Sequence, residues 1–263
     1  MSQECAGSAT GVGLLFLCLM LSGCAGAEYL WEVRTASTTR PPSFDPAVFE
    51  QQPVAVLVAL APPALHGHEV DLTLSLNRIL KQIEPTWKLV SPRDAATRIN
   101  QQGLAAEYTR MRTDYERSDI LDRDPLKKIG AALGTRYIFQ PRLTAFAQTL
   151  YERWEFPGVN VKLLRTRTSI LRVSLQLWNA ETGELIWTSA AEATFQQEAL
   201  FNDPVYLQEA GLVTWGSIIS DLVQNRTAYR HTPTDAALDA LIGLAKVNED
   251  SASESSAAVS GGK

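Results

Sequence analysis

Two histidines and two carboxylates lie close together at His66, His68, Glu69 and Asp71. Imidazole and carboxylate groups of this kind are common ligands of transition metals. A third imidazole would have to come from His231, the only other histidine of the chain, which lies in a weakly patterned segment. We therefore expect no metal site here. We interpret the segment as a polar loop that caps a helix starting at Asp71.

A second acidic pair, Asp122 and Asp124, flanks Arg123 in a D-x-D pattern that metal sites also use. Pro125 follows directly, and proline is favoured at the first position of a helix. We predict that Asp124 caps a helix rather than binds a cation. The chain contains no G-x-S-x-G, G-x-x-x-x-G-K-[ST], H-E-x-x-H or G-x-G-x-x-G motif. We therefore expect no catalytic residue, no cofactor and no enzymatic activity.

An aromatic cluster is the strongest candidate for a binding site. Tyr151, Arg153, Trp154 and Phe156 follow one another within YERWEF. Aromatic residues and arginine are enriched at the centres of protein interfaces. Pro157-Gly158 comes next and predicts a turn, which places the cluster near a loop tip. The alternative is that these rings fill the core of the domain itself. For Trp178, on the polar face of a predicted strand, we expect core packing under a second layer of helices.

The composition is that of an ordinary globular protein. The chain has 263 residues, of which 45% are hydrophobic and 20% charged, and its formal net charge is −5. A nucleic-acid-binding domain is typically basic, so the charge argues against that class. The three cysteines, Cys5, Cys18 and Cys24, all lie at the N-terminus. The remaining chain therefore has neither a disulfide framework nor a four-cysteine zinc site.

The last of these cysteines ends an apolar segment. Residues 11–21 read GVGLLFLCLML, a run too short to span a membrane but of the length found in secretory signals. The sequence Leu21-Ser22-Gly23-Cys24 resembles the bacterial lipobox. This resemblance implies cleavage before Cys24 and acylation of Cys24, including palmitate-type chains. No lysine or arginine precedes Arg34, although signal peptides usually begin with a basic segment. The alternative is a buried N-terminal helix that happens to end in Cys24.

We predict four segments: a lipoprotein signal peptide over residues 1–23, a flexible tether over 24–53, a domain over 54–224 and a weakly ordered tail over 225–263. The tether assignment rests on Ser, Thr and Pro residues without periodicity. Within the domain, hydrophobic periodicity and capping signals predict strands at 54–60, 87–90, 136–147, 169–178 and 184–195, and helices at 71–83, 92–102, 104–117, 125–133 and 204–224. The order β-α-β-α-α-α-β-β-β-α indicates a single α/β (α+β-like) domain with a mixed sheet flanked by helices. Pro141 suggests an edge, bulge or break in its strand.

Four phrases of the domain resemble those of a set of bacterial envelope lipoproteins. They are VAVLVAL, WKLVSPRDA, LGTRYIFQPRL and LQLWNAETGELIW. The set comprises the curli-secretion (CsgG-like) lipoproteins, the lipoprotein activators of penicillin-binding proteins and the N-terminal domain of the Tol translocation protein. Asn179 stands where these families usually have aspartate. The resemblance covers residues 54–224 and implies a binding and assembly module.

These observations lead us to expect a non-enzymatic, lipid-anchored periplasmic protein. The absence of aspartate after Cys24 implies, by resemblance to known sorting, the outer membrane. We expect the domain to bind another envelope protein or further copies of itself, and to bind no nucleic acid. A ring-forming secretion or transport component and an envelope hydrolase are the competing classes. The segment 147–169 holds six charged residues, so we do not expect it to form the membrane-spanning wall of a pore.

Overall fold

The computed structural model describes residues 28–155, 162–199, 205–227 and 230–233. The predicted signal peptide, the lipidation site Cys24 and the binding residue Phe156 lie outside these ranges. So do residues 234–263 of the predicted tail.

Within these described ranges, seven strands form one mixed sheet in the order β3-β2-β4-β5-β6-β1-β7. β2 pairs in parallel with β3 and β4, and the other pairs are antiparallel. The strands are β1 (Glu28–Ser37), β2 (Val54–Val56), β3 (Leu89–Val90), β4 (Tyr137–Glu155), β5 (Lys162–Asn179), β6 (Glu184–Ala199) and β7 (Arg230–Pro233).

The α-helices of the described residues that flank this sheet are α1 (Glu69–Ile83), α2 (Pro92–Gln101), α3 (Ala105–Ser118), α4 (Arg123–Leu133) and α5 (Leu207–Gln224). Two short 3-10 helices lie at Pro46–Glu50 and Pro63–Leu65. The predicted class, a single mixed α/β domain, is confirmed, and the predicted order of elements holds from β2 to α5. In the part of the chain that the structure describes, each helix is either too short or too polar to cross a bilayer.

The two faces of the sheet are covered differently. Leu72, Leu76 and Ile79 of α1 pack with Trp215 of α5 and the inward row of β5, from Leu171 to Leu177. The opposite face is covered by α2, α3 and α4 only over β3, β2, β4 and the end of β5, where Trp178 is buried. The core position expected for Trp178 is therefore confirmed. Among the described residues, no helix covers the rest of that face of β5, β6 and β1.

The polar helix α3 has a small buried side. Met111 and Tyr115 are its buried residues, and both belong to the second core cluster. The Tyr115 hydroxyl donates a hydrogen bond to Gln176 Oε1 of β5 at 2.8 Å. The helix is therefore held to the sheet by few residues, which is why its sequence shows no apolar stripe.

The predicted tether is wrong over residues 28–53. β1 pairs with β6 along its whole length, from Glu28↔Glu198 to Ser37↔Ser189. The 3-10 helix Pro46–Glu50 places Phe49 in the main core with no exposed surface. The tail prediction is likewise wrong for Arg230–Pro233, because this segment pairs with β1. In both places backbone pairing with a distant strand supplies the order that local periodicity does not show.

The capping predictions were partly right. The Ser91 side chain accepts a hydrogen bond from the N–H of Asp94, and Gly134 ends α4 at φ 68°, as expected. The predicted cap at Asp124 is wrong, because Asp122 is the capping residue and accepts from the N–H of Asp124. Asp124 thus lies in the first turn of α4. Helix α5 begins at Leu207, later than predicted.

Pro141 lies inside β4 opposite Leu175. β2 ends at Val56. The chain that follows β2 forms a hydrogen bond with β4 again at Leu60, whose N–H donates to the Pro141 carbonyl at 3.1 Å. A register shift follows between Leu143 and Ala145. The predicted irregularity is thus present, because β2 ends before Pro141 and the register shift follows after it. Proline has no N–H to donate, but β4 loses no hydrogen bond to β2 at this point, since β2 has already ended.

Candidate binding surface

β4 and β5 form a long antiparallel hairpin, paired from Tyr137↔Asn179 to Glu155↔Lys162. In its first half, burial alternates along β5 as expected for a strand packed on one face. We call its second half the arm, defined as residues 147–155 of β4 and 162–169 of β5. In the arm, Thr149, Leu150, Tyr151 and Glu152 are all exposed. Because consecutive residues point to opposite faces, neither face of β4 is covered there.

Leu150 and Tyr151 give the arm an apolar residue on each face. Leu150 is 50% exposed and Tyr151 68% exposed. Leu150 lies on the same side of β4 as Phe146, which packs against the main core, and Tyr151 lies on the other side. Each face of the arm therefore exposes one large apolar residue.

The outer edge of β4 is open along the arm. β2 pairs with Tyr137, Ile138 and Phe139, and the last backbone hydrogen bond described on this side joins the Leu143 N–H to the Leu60 carbonyl at 2.7 Å. Among the described residues, no strand pairs with this edge from Thr144 to Glu155. After the register shift, the peptide groups of Phe146, Gln148 and Leu150 point outward from the sheet.

Between Ala145 and Tyr151 this edge lacks the usual protection. Exposed edges normally carry charges, proline or bulges that prevent pairing with another chain. From Ala145 to Tyr151 the sequence reads AFAQTLY and contains no charge, proline or glycine. The edge is therefore competent to receive a further strand.

Two ion pairs link neighbouring strands in the arm and at its base. Arg165 Nε lies 2.8 Å from Glu152 Oε1 across the β4–β5 pair, and Arg172 Nε lies 2.5 Å from Glu192 Oε2 across β5 and β6. These side chains are substantially exposed, so each pair contributes little stability.

Three of the four predicted binding residues, Tyr151, Arg153 and Trp154, lie at the end of this arm. Tyr151 is exposed, and Arg153 and Trp154 lie in β4 opposite Leu164 and Leu163 of β5. Their role in binding remains a prediction. Leu150 was missed by the sequence analysis. The sequence feature that could have identified Leu150 is its position as an isolated apolar residue beside Tyr151 in a polar segment.

The His66 segment forms a local hydrogen-bonded loop. Glu69 Oε1 lies 2.7 Å from His66 Nδ1, and Glu69 Oε2 accepts the N–H of Gly67 at 2.6 Å. Burial would raise the pKa of Glu69, but hydrogen bonds from His66 and from the peptide groups of Glu69 and Gly67 bring it below its ordinary value. The helix α1 begins at Glu69, two residues before the predicted Asp71.

His68, in contrast, points to the sheet, where its ring lies 5.8 Å from the Phe146 ring. Within the described ranges, no three His, Cys, Asp or Glu residues group closely enough to hold a metal ion.

The described chain is thus one mixed α/β domain with a projecting β-hairpin. No family model matches the sequence. No curated protein matches it either.

Several solved structures show a limited likeness to the chain. The PelC dodecamer from Paraburkholderia phytofirmans aligns at a TM-score of 0.42 and 10% identity, over 72% of this chain and 96% of that one. Lipoprotein GNA1162 from Neisseria meningitidis gives 0.40 and 12%, over 66% and 99%. The LpoB C-terminal domain from Salmonella enterica gives 0.34 and 18%, over 56% and 86%. Likenesses at this level establish neither family membership nor function for this chain.

Proposed function

We propose that this protein is an outer-membrane lipoprotein, anchored through Cys24, whose periplasmic domain is a non-enzymatic binding and assembly module for envelope proteins. The observation that carries the proposal is the open edge of β4, which is uncharged from Ala145 to Tyr151. A partner would add a strand along this edge, where backbone hydrogen bonds supply affinity. Leu150 and Tyr151, one on each face, would supply specificity, together with Arg153, Trp154 and Phe156.

We infer that the arm lies near the proposed anchor, and the position of β1 supports this. β1 starts at Glu28, four residues after Cys24, and four residues span at most about 14 Å. Glu28 is paired with Glu198, and Thr166, beside Glu198 on the next strand, is opposite Tyr151. The start of β1 and the arm therefore occupy the same end of the sheet. A partner would therefore bind to the arm close to the membrane surface.

The same placement favours a second candidate. A secretion or transport component built from several copies would also need a free edge beside the membrane. In that case the added strand would come from a second copy of this chain. The charges of the arm, among them Glu152 and Arg165, argue against a lipid-facing wall.

The binding role is tested by photo-crosslinking in cells. A crosslinking amino acid replaces Tyr151, and the matched control replaces Leu185, which is 40% exposed at the opposite end of the sheet. We expect a discrete adduct from position 151 and none from position 185. An adduct of twice the chain mass would favour the oligomeric candidate, and a different mass would favour an envelope partner.

A charge on the edge separates strand addition from nonspecific contact. Leu150→Lys places a lysine on the open edge, and Leu185→Lys makes the same change at the far end. We expect Leu150→Lys to abolish the adduct and Leu185→Lys to leave it intact. Equal crosslinking at both positions, or an adduct unaffected by Leu150→Lys, would contradict the proposal.

The anchor is tested separately. The intact mass of the native protein should correspond to residues 24–263 plus acyl chains, and Cys24→Ser should release the protein into the soluble fraction. Two or more acyl chains give stable anchoring, since each buried CH₂ contributes about 0.8 kcal/mol. An unmodified chain beginning at Met1 and soluble in both forms would refute the anchor.

A further inference from the structure

The connections between the parallel strands change direction at the carboxyl end of β2. From β2 the chain crosses to β3 through α1, on one face of the sheet. From β3 it crosses to β4, on the other side of β2, through α2, α3 and α4 on the opposite face. Connections that leave in opposite directions open a crevice at the carboxyl ends of parallel strands, and α/β proteins commonly bind ligands there.

A cavity of about 250 Å³ lies at this crevice, with one wall formed by the chain that follows β2. It is lined by Leu60, Ala61, Pro62, Pro63, Glu116 and Arg142. Four of the six are apolar and belong to one continuous segment. The remaining two carry opposite charges and come from α3 and β4.

Arg142 is held in place at one side of this cavity. Its side chain is 28% exposed and forms an ion pair with Asp119. Its guanidinium lies 6.0 Å from the centre of the Tyr115 ring. Burial raises the pKa of Tyr115 to about 12 despite the nearby charge of Arg142, so this ring stays neutral at physiological pH. The cation is thus fixed in position, with part of its surface open to the cavity.

Glu116 supplies the opposite charge. It is exposed and lines the same cavity, yet within the described residues its carboxylate has no hydrogen bond or ion pair. Its neighbour Arg112, one turn earlier on α3, donates instead to the Ala59 carbonyl at 3.3 Å. Glu116 and Arg142 are therefore two unlike charges that border one small cavity without pairing with each other.

We propose that this crevice binds a small zwitterion of the α-amino acid type. The ligand's carboxylate would pair with Arg142, its ammonium group with Glu116, and its side chain would lie against Pro62 and Pro63. The volume suits a single amino acid rather than a nucleotide or a lipid. A simple anion would be repelled by the Glu116 carboxylate, and a metal cation would be repelled by the Arg142 guanidinium. A ligand that carries both charges therefore fits best.

The test uses alanine as the probe. Full-length protein in detergent is titrated with alanine and followed by calorimetry. N-acetylalanine, which lacks the ammonium charge, and alaninamide, which lacks the carboxylate, are the matched ligands. We expect alanine to bind with a dissociation constant of about 1–10 mM, and each analogue to bind at least about tenfold more weakly.

Variants locate the site on the protein. Glu116→Gln and Arg142→Gln should each weaken alanine binding at least about tenfold. Glu116 is exposed, so Glu116→Gln leaves the fold intact and is the decisive variant. Arg136→Gln is the control, because Arg136 forms an exposed ion pair with Glu181 elsewhere on the domain. No saturable binding of alanine, equal binding of N-acetylalanine, or an unchanged affinity in Glu116→Gln would each overturn the proposal.

Discussion

Replacement of Phe49 by alanine tests whether residues 28–53 belong to the folded domain. Phe49 has no exposed surface, and its ring centre lies 4.8 Å from that of Trp87, 5.5 Å from that of Tyr137 and 5.8 Å from that of Phe139. Its carbonyl also accepts the N–H of Lys88 at 2.8 Å. A flexible tether would have none of these contacts.

The size of the effect follows from this environment. Truncation of a buried phenylalanine to alanine costs about 3–5 kcal/mol, and more when the surroundings cannot close on the cavity. Tyr137 and Phe139 are fixed by strand pairing on both sides of β4. We therefore expect Phe49→Ala to lower the free energy of unfolding by about 4 kcal/mol, a large part of the about 5–15 kcal/mol typical of a domain.

The assay is equilibrium urea unfolding in the Cys24→Ser background, where no lipid contributes to stability. Tyr151→Ala is the matched aromatic control, and because Tyr151 is exposed we expect a change within about 0.5 kcal/mol. The slope with urea should be the same for all variants. A loss below about 1 kcal/mol for Phe49→Ala would show that the segment does not pack on the domain.

Two further predictions concern the turn before β6 and the loop before α1. Gly183 has φ +75°, and an added Cβ would lie 2.8 Å from Arg123 Cγ. Gly183→Ala should therefore lower the free energy of unfolding by about 1–3 kcal/mol. An unchanged melting temperature would contradict this prediction. Burial opposes but does not outweigh the hydrogen bonds from His66 and the peptide groups, so the pKa of Glu69 lies below its ordinary 4.5 in the folded state. Its carboxylate therefore contributes stability above that pH and loses the contribution as the pH falls through the lowered pKa. Urea unfolding should show Glu69→Gln less stable than the native chain at neutral pH, with a difference that shrinks in acid; a difference independent of pH would refute the assignment.

The elements with strong local signals were predictable from sequence. Helix α1 has Leu72, Leu76 and Ile79 at helical spacing, and all three are buried in the core. Ser91 and the proline after it gave the start of α2 correctly. In such segments the periodicity and the caps alone determine the structure.

β1 was missed because its order comes from distant partners. Its side chains alternate between buried Val33 and Thr35 and exposed Arg34 and Ala36, but only Val33 of the four is a typical core residue. The strand is fixed by its pairing with β6 on one side and β7 on the other. No window of the sequence around β1 contains that information.

The two candidate sites were predictable to different extents. Tyr151 was identified from its neighbours in sequence, whereas the open edge beside it depends on where β2 ends relative to β4. Glu116 and Arg142 carry no shared motif. They meet at one cavity only because the crossover from β3 to β4 brings α3 over the carboxyl end of β2.

Hydrogen exchange at the β4 edge tests the central claim most directly. The outward-facing peptide groups of Phe146, Gln148 and Leu150 should exchange freely in the purified Cys24→Ser protein, because no described strand covers them. In protein isolated from the outer membrane with its partner bound, we predict strong protection of peptides covering residues 146–151. Equal, rapid exchange in both samples would show that no strand is added at this edge and would contradict the proposed mode of binding.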